Sequence, residues 1–247
     1  MSVSLDGKRI VVTGASRGIG RAIALACARG GAEVGINFHR SESEAHALRD
    51  EIGERATLLP FDVADSAAVA SAIELFDKAK GGIDALVNNA GVNLAALLMS
   101  ATDDEIDTMI RTNLLGTMYC TRAVLPVMLR QRTGVILNVS SVAATRPTKG
   151  QAIYAATKGG IEAFTRAVAV EYGRKGIRCH CIRPGAVDTD MFAETKKMAE
   201  KEVLGEIPLR RFASAEEIAR FAAFLLSDDA SYVTGSVHTI DGGFAAG

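Results

Sequence analysis

Tyr154 and Lys158 stand four residues apart in Tyr154-Ala-Ala-Thr-Lys158, and residues at that spacing share one face of a helix. A free phenol titrates near pKa ~10, too high for easy proton exchange at neutral pH. A lysine ammonium beside it favours the phenolate and is expected to lower that value. Such a pair suits moving a proton to or from an oxygen that changes between carbonyl and alcohol. Two adjacent serines, Ser140 and Ser141, lie upstream; a hydroxyl from either could share the charge on that oxygen or simply end a strand. Tyr–Lys pairs at this spacing are common on helices, so the surrounding residues must give this one its meaning.

The second chemical feature is Thr13-Gly-Ala-Ser-Arg-Gly-Ile-Gly20, which follows an apolar run and opens a helical pattern. Glycines at 14, 18 and 20 let a diphosphate approach backbone N–H groups at a helix N-terminus, where a Cβ would block it. The predicted contacts are Gly14, Ser16, Arg17, Gly18, Ile19 and Gly20. At the end of the second apolar run, an enzyme preferring NAD usually places an acid on the ribose 2′-hydroxyl. This chain has Asn37-Phe38-His39-Arg40-Ser41 instead. Arg17 and Arg40 are therefore expected to clamp a 2′-phosphate, with His39 and Ser41 beside them, and the expected cofactor is NADP(H).

These residues must be held by a scaffold, and its pattern is regular. Strands are predicted at Arg9–Thr13, Glu33–Phe38, Thr57–Phe61, Ile83–Asn88, Val135–Ser140, Ile177–Arg183 and Val237–Ile240. Helical stretches fall near 19–29, 42–53, 66–79, 103–130, 155–173 and 215–227. Continuous apolar strands alternating with helices predict an α/β fold, a doubly wound Rossmann-type parallel sheet of about seven strands with helices on both faces. No linker, repeat or low-complexity tract interrupts the chain, so residues 1–247 read as a single domain. Asp103-Asp104-Glu105 favours a helix start, and Pro126 is expected to bend or divide that helix. The segment 191–213 has helical character without a strand partner and is a candidate lid.

Composition narrows the partners. The chain has 247 residues, 48% of them apolar, and a formal net charge of -1, which gives no electrostatic reason to bind nucleic acid or an anionic membrane. No run approaches the roughly 20 apolar residues of a membrane span. Met1-Ser-Val-Ser-Leu-Asp-Gly-Lys has no signal-peptide core, so a cytoplasmic location is expected. Cys179 and Cys181 are too close for common zinc spacings and read as core thiols on one strand face with Ile177. Cys27, Cys120 and the four scattered histidines complete no ligand cluster, and a metal is not expected.

Asn88-Asn-Ala-Gly91, Asn113, Ser141, Tyr154 with Lys158, and Pro184-Gly185 follow the glycine turn in order. This set resembles the short-chain dehydrogenase/reductase family over essentially the whole chain. Phe61-Asp62-Val63, Asn138-Val-Ser-Ser-Val142, and Thr234-Gly235 through Asp241-Gly-Gly243 make it most similar to the 3-oxoacyl-[acyl-carrier-protein] reductases. The resemblance selects Ser141, thirteen residues before Tyr154, and leaves Ser140 structural. It implies that Tyr154 protonates a carbonyl oxygen, that Ser141 hydrogen-bonds it, and that Lys158 also holds the nicotinamide ribose. It further implies that Asn113 holds a water in a proton relay and that Asp62 and Val63 meet the adenine. Asn89, Ala90, Gly91, Pro184, Gly185, Val187 and Thr189 complete the implied cofactor contacts. As a bottom-up alternative, Asp62 caps the next helix.

The expected reaction is reduction of a 3-oxoacyl thioester on a carrier protein or CoA. A free ketone, sugar or other secondary alcohol is the alternative substrate, and a non-catalytic dinucleotide sensor or assembly subunit the alternative class. Asn93-Leu94-Ala95, Ile153 and Arg146-Pro147-Thr148-Lys149 depart from the related reductases and are expected around the substrate mouth. An acidic carrier protein needs a basic patch near the cleft. Arg132 and Lys175 are the implied docking residues, flanked by Arg130 and Arg174, with Arg146 a further substrate or carrier contact. Cations favouring helix C-termini would explain the same arginines and lysine. A homotetramer is implied by resemblance, and the apolar tail Gly242–Gly247 suits burial or an interface.

Overall fold

The computed structural model describes residues 3–246, apart from the side chains at 191, 194–196 and 198. Strand β1 (Arg9–Val12), helix α1 (Gly18–Arg29), β2 (Glu33–Phe38), α2 (Glu42–Ile52), β3 (Ala56–Pro60), α3 (Ser66–Lys80) and β4 (Ala85–Asn88) form the first half. The second half contains α4 (Asp103–Met109), α5 (Gly116–Gln131), β5 (Gly134–Val139), α6 (Ala152–Tyr172), β6 (Ile177–Pro184), α7 (Ala193–Glu206), α8 (Ala215–Leu226) and β7 (Val237–Ile240). The seven strands lie in the order β3-β2-β1-β4-β5-β6-β7. Every neighbouring pair is parallel. This is the single Rossmann-type domain expected.

Strand alternation explains the two layers. Ile10 and Val12 point into one core with Val34, Val87, Leu137 and helices α1, α2 and α8. Val11 points to the other face, where Leu86, Ile136, Ile177 and Cys179 pack under α3, α5 and α6. All four cysteines are free and buried. Burial pushes Cys27, Cys120 and Cys181 up to about 12, and Cys179 higher, so each remains a thiol at neutral pH.

The second face also carries a buried polar chain. Asn88 Nδ2 donates to Thr121 Oγ1 at 3.0 Å and to Asn138 Oδ1 at 2.8 Å. Asn138 Nδ2 donates in turn to Thr165 Oγ1 at 2.9 Å. The chain ties α5 to α6 across β4 and β5, just below the strand ends.

Two local expectations change. The structure does not divide the 103–130 helix at Pro126, which lies inside unbroken α5. Pro126 and Arg122 are both exposed, so the carbonyl released by the missing N–H lies on the solvent side. The division instead falls at a π-helical turn, Ile110–Leu115, between α4 and α5. Strand β4 begins at Ala85 rather than Ile83, because the Gln131 side-chain amide occupies both backbone groups of Ile83.

Truncating Asn138 to Ala removes one acceptor and one donor from the buried chain and opens a small void. The expected cost is about 2–4 kcal/mol. Urea unfolding measures it, and a loss within error of zero would show that the chain is not stabilising.

Candidate functional site

Because all strands run the same way, their C-terminal ends meet at one edge, and the predicted site residues follow those ends. A cleft of about 880 Å³ runs along this edge. It opens where β1 and β4 lie side by side and the chain winds outward in both directions, the switch point where such sheets bind ligands.

The glycine turn forms one end. Gly14 and Gly18 have φ of +59° and +57°. A Cβ on Gly14 would sit 2.9 Å from Ala90 Cα, and one on Gly20 2.3 Å from Gly14 O. Gly14, Ser16, Arg17, Gly18 and Ile19 border the cleft. Gly20 does not; it is buried behind the turn, where it lets α1 approach the strand. Asn89 Nδ2 donates to Thr13 O and Gly14 O, while Thr13 Oγ1 accepts from the N–H groups of Asn89 and Ala90. Asn37 Oδ1 accepts from Gly14 N. Thr13 and Asn37 are thus supports absent from the predicted site. Their signal was a polar side chain closing an apolar strand run.

His39, Arg40 and Ser41, following β2, also border the cleft. Arg17 and Arg40 are exposed and neither is ion-paired among the described residues. Asp62 faces His39 at 3.6 Å and accepts from Ala64 N. It does not cap α3; Asp65 does, through the N–H groups of Ala67 and Ala68. Val63 borders the cleft beside it. On the far side, Pro184, Gly185, Val187 and Thr189 line the wall after β6. A Cβ on Gly18 would lie 3.6 Å from Thr189 Cγ2, so this segment closes over the glycine turn.

The central group meets as expected. Tyr154 and Lys158 lie on α6, Ser141 follows β5, and all three border the cleft. Lys158 Nζ is buried, donates to Val139 O at 2.8 Å, and lies 5.5 Å from the centre of the Tyr154 ring. Burial lowers Lys158 to about 8. Burial also raises the Tyr154 phenol above its ordinary value, with the Ser141 side chain acting in the opposite direction. The expected lowering by Lys158 is therefore not realised: burial sets the direction, and the only opposing influence is Ser141. Gly91 borders the same space; a Cβ there would lie 3.6 Å from Lys158 Nζ.

Asn113 is fully buried in the π turn rather than on the cleft wall. Its Oδ1 accepts from Val92 N, and its Nδ2 donates to Val92 O and Thr157 Oγ1. Both amide hydrogens are thus engaged, and the side chain fixes the turn after Gly91 against α6. Ser140 also borders the cleft, but its hydroxyl is spent on Glu162 Oε1, to which it donates at 2.8 Å.

Three expectations at the substrate side need correction. Ile153 is 9% exposed and belongs to the core, not the mouth, whereas Asn93, Arg146 and Thr148 do border the cleft. Arg146 spends its guanidinium on its own chain: it donates to Phe244 O, lies 4.2 Å over the Phe244 ring, and meets Glu206 at 3.4 Å. Phe244 is accordingly buried, Ala245 and Ala246 are exposed, and Gly247 lies outside the described residues. Arg132 and Lys175 are exposed near each other, since a Cβ on Gly176 would lie 2.4 Å from Arg132 O. They precede β5 and β6, however, so they stand at the opposite end of the sheet from the cleft. The six residues of β5 alone separate the two ends by roughly 20 Å. Arg130 there is paired with Asp77 at 2.7 Å. Within one chain they form no basic patch at the cleft mouth.

Helix α7 closes the outer wall through Ala199, Glu202, Val203 and Glu206, and is kinked at Ala199. Its neighbourhood is braced by the edge contact of Phe192 with Phe212 and by a single bridge between Val187 and Ala213.

A family model described as enoyl-(acyl carrier protein) reductase matches residues 14–245. The 3-oxoacyl-[acyl-carrier-protein] reductase FabG of Chlamydia trachomatis serovar D is 41% identical, covering 99% of this chain and 100% of the relative. FabG of Escherichia coli K12 is 39% identical, covering 98% of each. A solved gluconate 5-dehydrogenase of Burkholderia cenocepacia, in complex with NADP and tartrate, superposes with a TM-score of 0.94 at 33% identity, over 99% of this chain and 97% of that one. The ordered glycine turn, Ser–Tyr–Lys group and full-length likeness have one outcome: the chain belongs to the short-chain dehydrogenase/reductase family.

Proposed function

We propose that this chain reduces a 3-oxoacyl thioester, linked to a carrier protein or to CoA, to the 3-hydroxyacyl thioester with NADPH. The observation that carries the reading is the meeting of Ser141, Tyr154 and buried Lys158 in one cleft with the glycine turn. The relatives named as 3-oxoacyl reductases supply the substrate class.

The residues present fit NADP(H). Glycines 14 and 18 leave room at a helix N-terminus, and the unpaired Arg17 and Arg40 suit a 2′-phosphate. The bound cofactor supplies the hydride. Lys158 is assigned to the nicotinamide ribose, Asp62 and Val63 to the adenine, and Val187 and Thr189 to the carboxamide. Tyr154 gives its proton to the substrate carbonyl oxygen, and Ser141 donates a hydrogen bond to that oxygen as charge develops. A phenol held above its ordinary pKa keeps its proton until the oxygen becomes basic. Asn113 is assigned by family resemblance to holding a water of the proton relay.

The segment 191–213 is assigned as a lid, supported by the α7 side chains on the cleft wall and the kink at Ala199. A cytoplasmic homotetramer is assigned by family resemblance. Gly159, where an added Cβ meets nothing, and the exposed Val170 on α6 suit a second copy at that face; sedimentation equilibrium tests the assembly. The gluconate 5-dehydrogenase likeness favours a second reading, reduction of a free ketone or sugar acid. The complete Ser–Tyr–Lys set weighs against a non-catalytic sensor.

Acetoacetyl-CoA, carrier-linked 3-oxoacyl chains and free ketones, each with NADPH and NADH, separate these readings. Thioesters should give the highest kcat/KM; preference for free ketones would overturn the substrate assignment, and no turnover would revive the sensor. Tyr154→Phe should lower kcat by several orders of magnitude while NADPH affinity stays near normal, and retained turnover would refute the acid role. Replacing both Arg17 and Arg40 with Ala should weaken NADPH at least about tenfold and leave NADH little changed; equal losses would remove the 2′-phosphate clamp. Because Lys158 is lowered to about 8, it loses its charge as pH rises through that value. The free-enzyme profile, kcat/KM for NADPH, should therefore fall above pH 8, and a profile flat to pH ~10 would exclude Lys158 as the required cation.

A further inference from the structure

We propose that Glu162, paired with Arg183, is a positioning residue that fixes the catalytic helix against the strand ends carrying Ser141 and Pro184. Glu162 lies one helical turn beyond Lys158, so Tyr154, Lys158 and Glu162 form one row on α6. Only 5% of it is exposed. Such a buried carboxylate is costly unless paired and hydrogen-bonded.

Its partners come from different elements. Arg183, near the end of β6, grips it with two bonds: Nε to Oε1 at 2.8 Å and Nη2 to Oε2 at 2.6 Å. Ser140, the residue before Ser141, donates to Oε1 at 2.8 Å. The Ser140 hydroxyl is also 3.2 Å from Lys158 O, but it carries one hydrogen and the shorter contact to a charged acceptor takes it. Arg183 then reaches Thr239 Oγ1 on β7 at 3.2 Å. One carboxylate therefore joins α6, the end of β5 and the end of β6, directly beneath the cleft.

This arrangement sets two distances that proton transfer needs. Lys158 Nζ is held by Val139 O, the residue next to Ser140, so its place depends on the spacing of α6 from β5. Ser141 follows Ser140 in extended backbone, so its hydroxyl moves with Ser140. Displacements of about 1 Å at reacting groups can cost ~100-fold in rate. Glu162 and Arg183 do not border the cleft, so they act through Ser140, Ser141 and Lys158 rather than on substrate.

The inference rests on the assignment of Ser141, Tyr154 and Lys158, and the test separates the two. Ser140→Ala removes only the hydroxyl link and keeps the ion pair. The double variant Glu162→Met with Arg183→Met removes both charges together, which protein cores often tolerate without loss of stability. With acetoacetyl-CoA and NADPH, each folded variant should lose at least about tenfold in kcat, with KM for NADPH changed less than about twofold. The alkaline limb of the kcat/KM profile for NADPH should shift because Lys158 is displaced; a purely structural role would lower Tm and leave kcat and the limb unchanged. Wild-type kcat and limb in Ser140→Ala, or in the folded double variant, overturn the proposal. Tyr154→Phe is the parallel control: if it retains turnover, the catalytic assignment fails, and if it alone loses turnover, only the positioning role fails.

Discussion

Two backbone segments, the turn after β1 and the turn after β4, are laced together by Thr13 and Asn89, and the rest of the site depends on that lacing. Thr13 Oγ1 takes the N–H groups of Asn89 and Ala90, while the Asn89 amide takes Thr13 O and Gly14 O. The contact is close enough that Gly14 and Gly20 have no room for a Cβ. It holds open the N-terminal end of α1 while keeping Gly91 beside Lys158. A parallel sheet places its strand ends together, and this cross-link fixes the glycine turn against the turn after β4.

Electrostatics at the centre follow from burial more than from pairing. Lys158 is buried on the cleft wall and its ammonium is bound to a neutral carbonyl, so desolvation lowers it. Tyr154 is raised for the same reason, with the Ser141 contact opposing. The two shifts act in opposite chemical senses: the phenol holds its proton more tightly and the ammonium less. A reductase benefits from the first, since the acid must wait for negative charge on the carbonyl oxygen. The second makes the cation the more pH-sensitive partner.

The cofactor half of the site was legible because each piece is local in sequence. A polar or glycine-rich turn after each apolar strand marks a strand end, and parallel topology then gathers those ends. Strand boundaries fell within two residues of those read from the apolar runs because both faces of the sheet are covered. What local patterns could not carry were bonds between remote elements. Asn113 looked like a cleft residue, yet a π turn takes it into the interior to bind Val92. Ile153, one residue from Tyr154, falls on the buried side of α6. Arg132 and Lys175 read as a patch from their charge, but strand direction puts them at the far end of the sheet.

The substrate half is built differently, and this explains why its specificity resists reading from motifs. Its wall combines the loop after Ser141, helix α7 and the C-terminal tail, segments that meet through Arg146, Glu206 and Phe244. A guanidinium stacked on a ring and bonded to a carbonyl has little freedom to reach a ligand as well. Arg146 therefore shapes the cleft by holding its walls together. The catalytic row on α6 needs no such flexibility: its reactive face carries Tyr154 and Lys158, and its next turn carries the buried Glu162. Chemistry and support thus share one helix, while recognition is assembled from three separate segments that can vary without disturbing it.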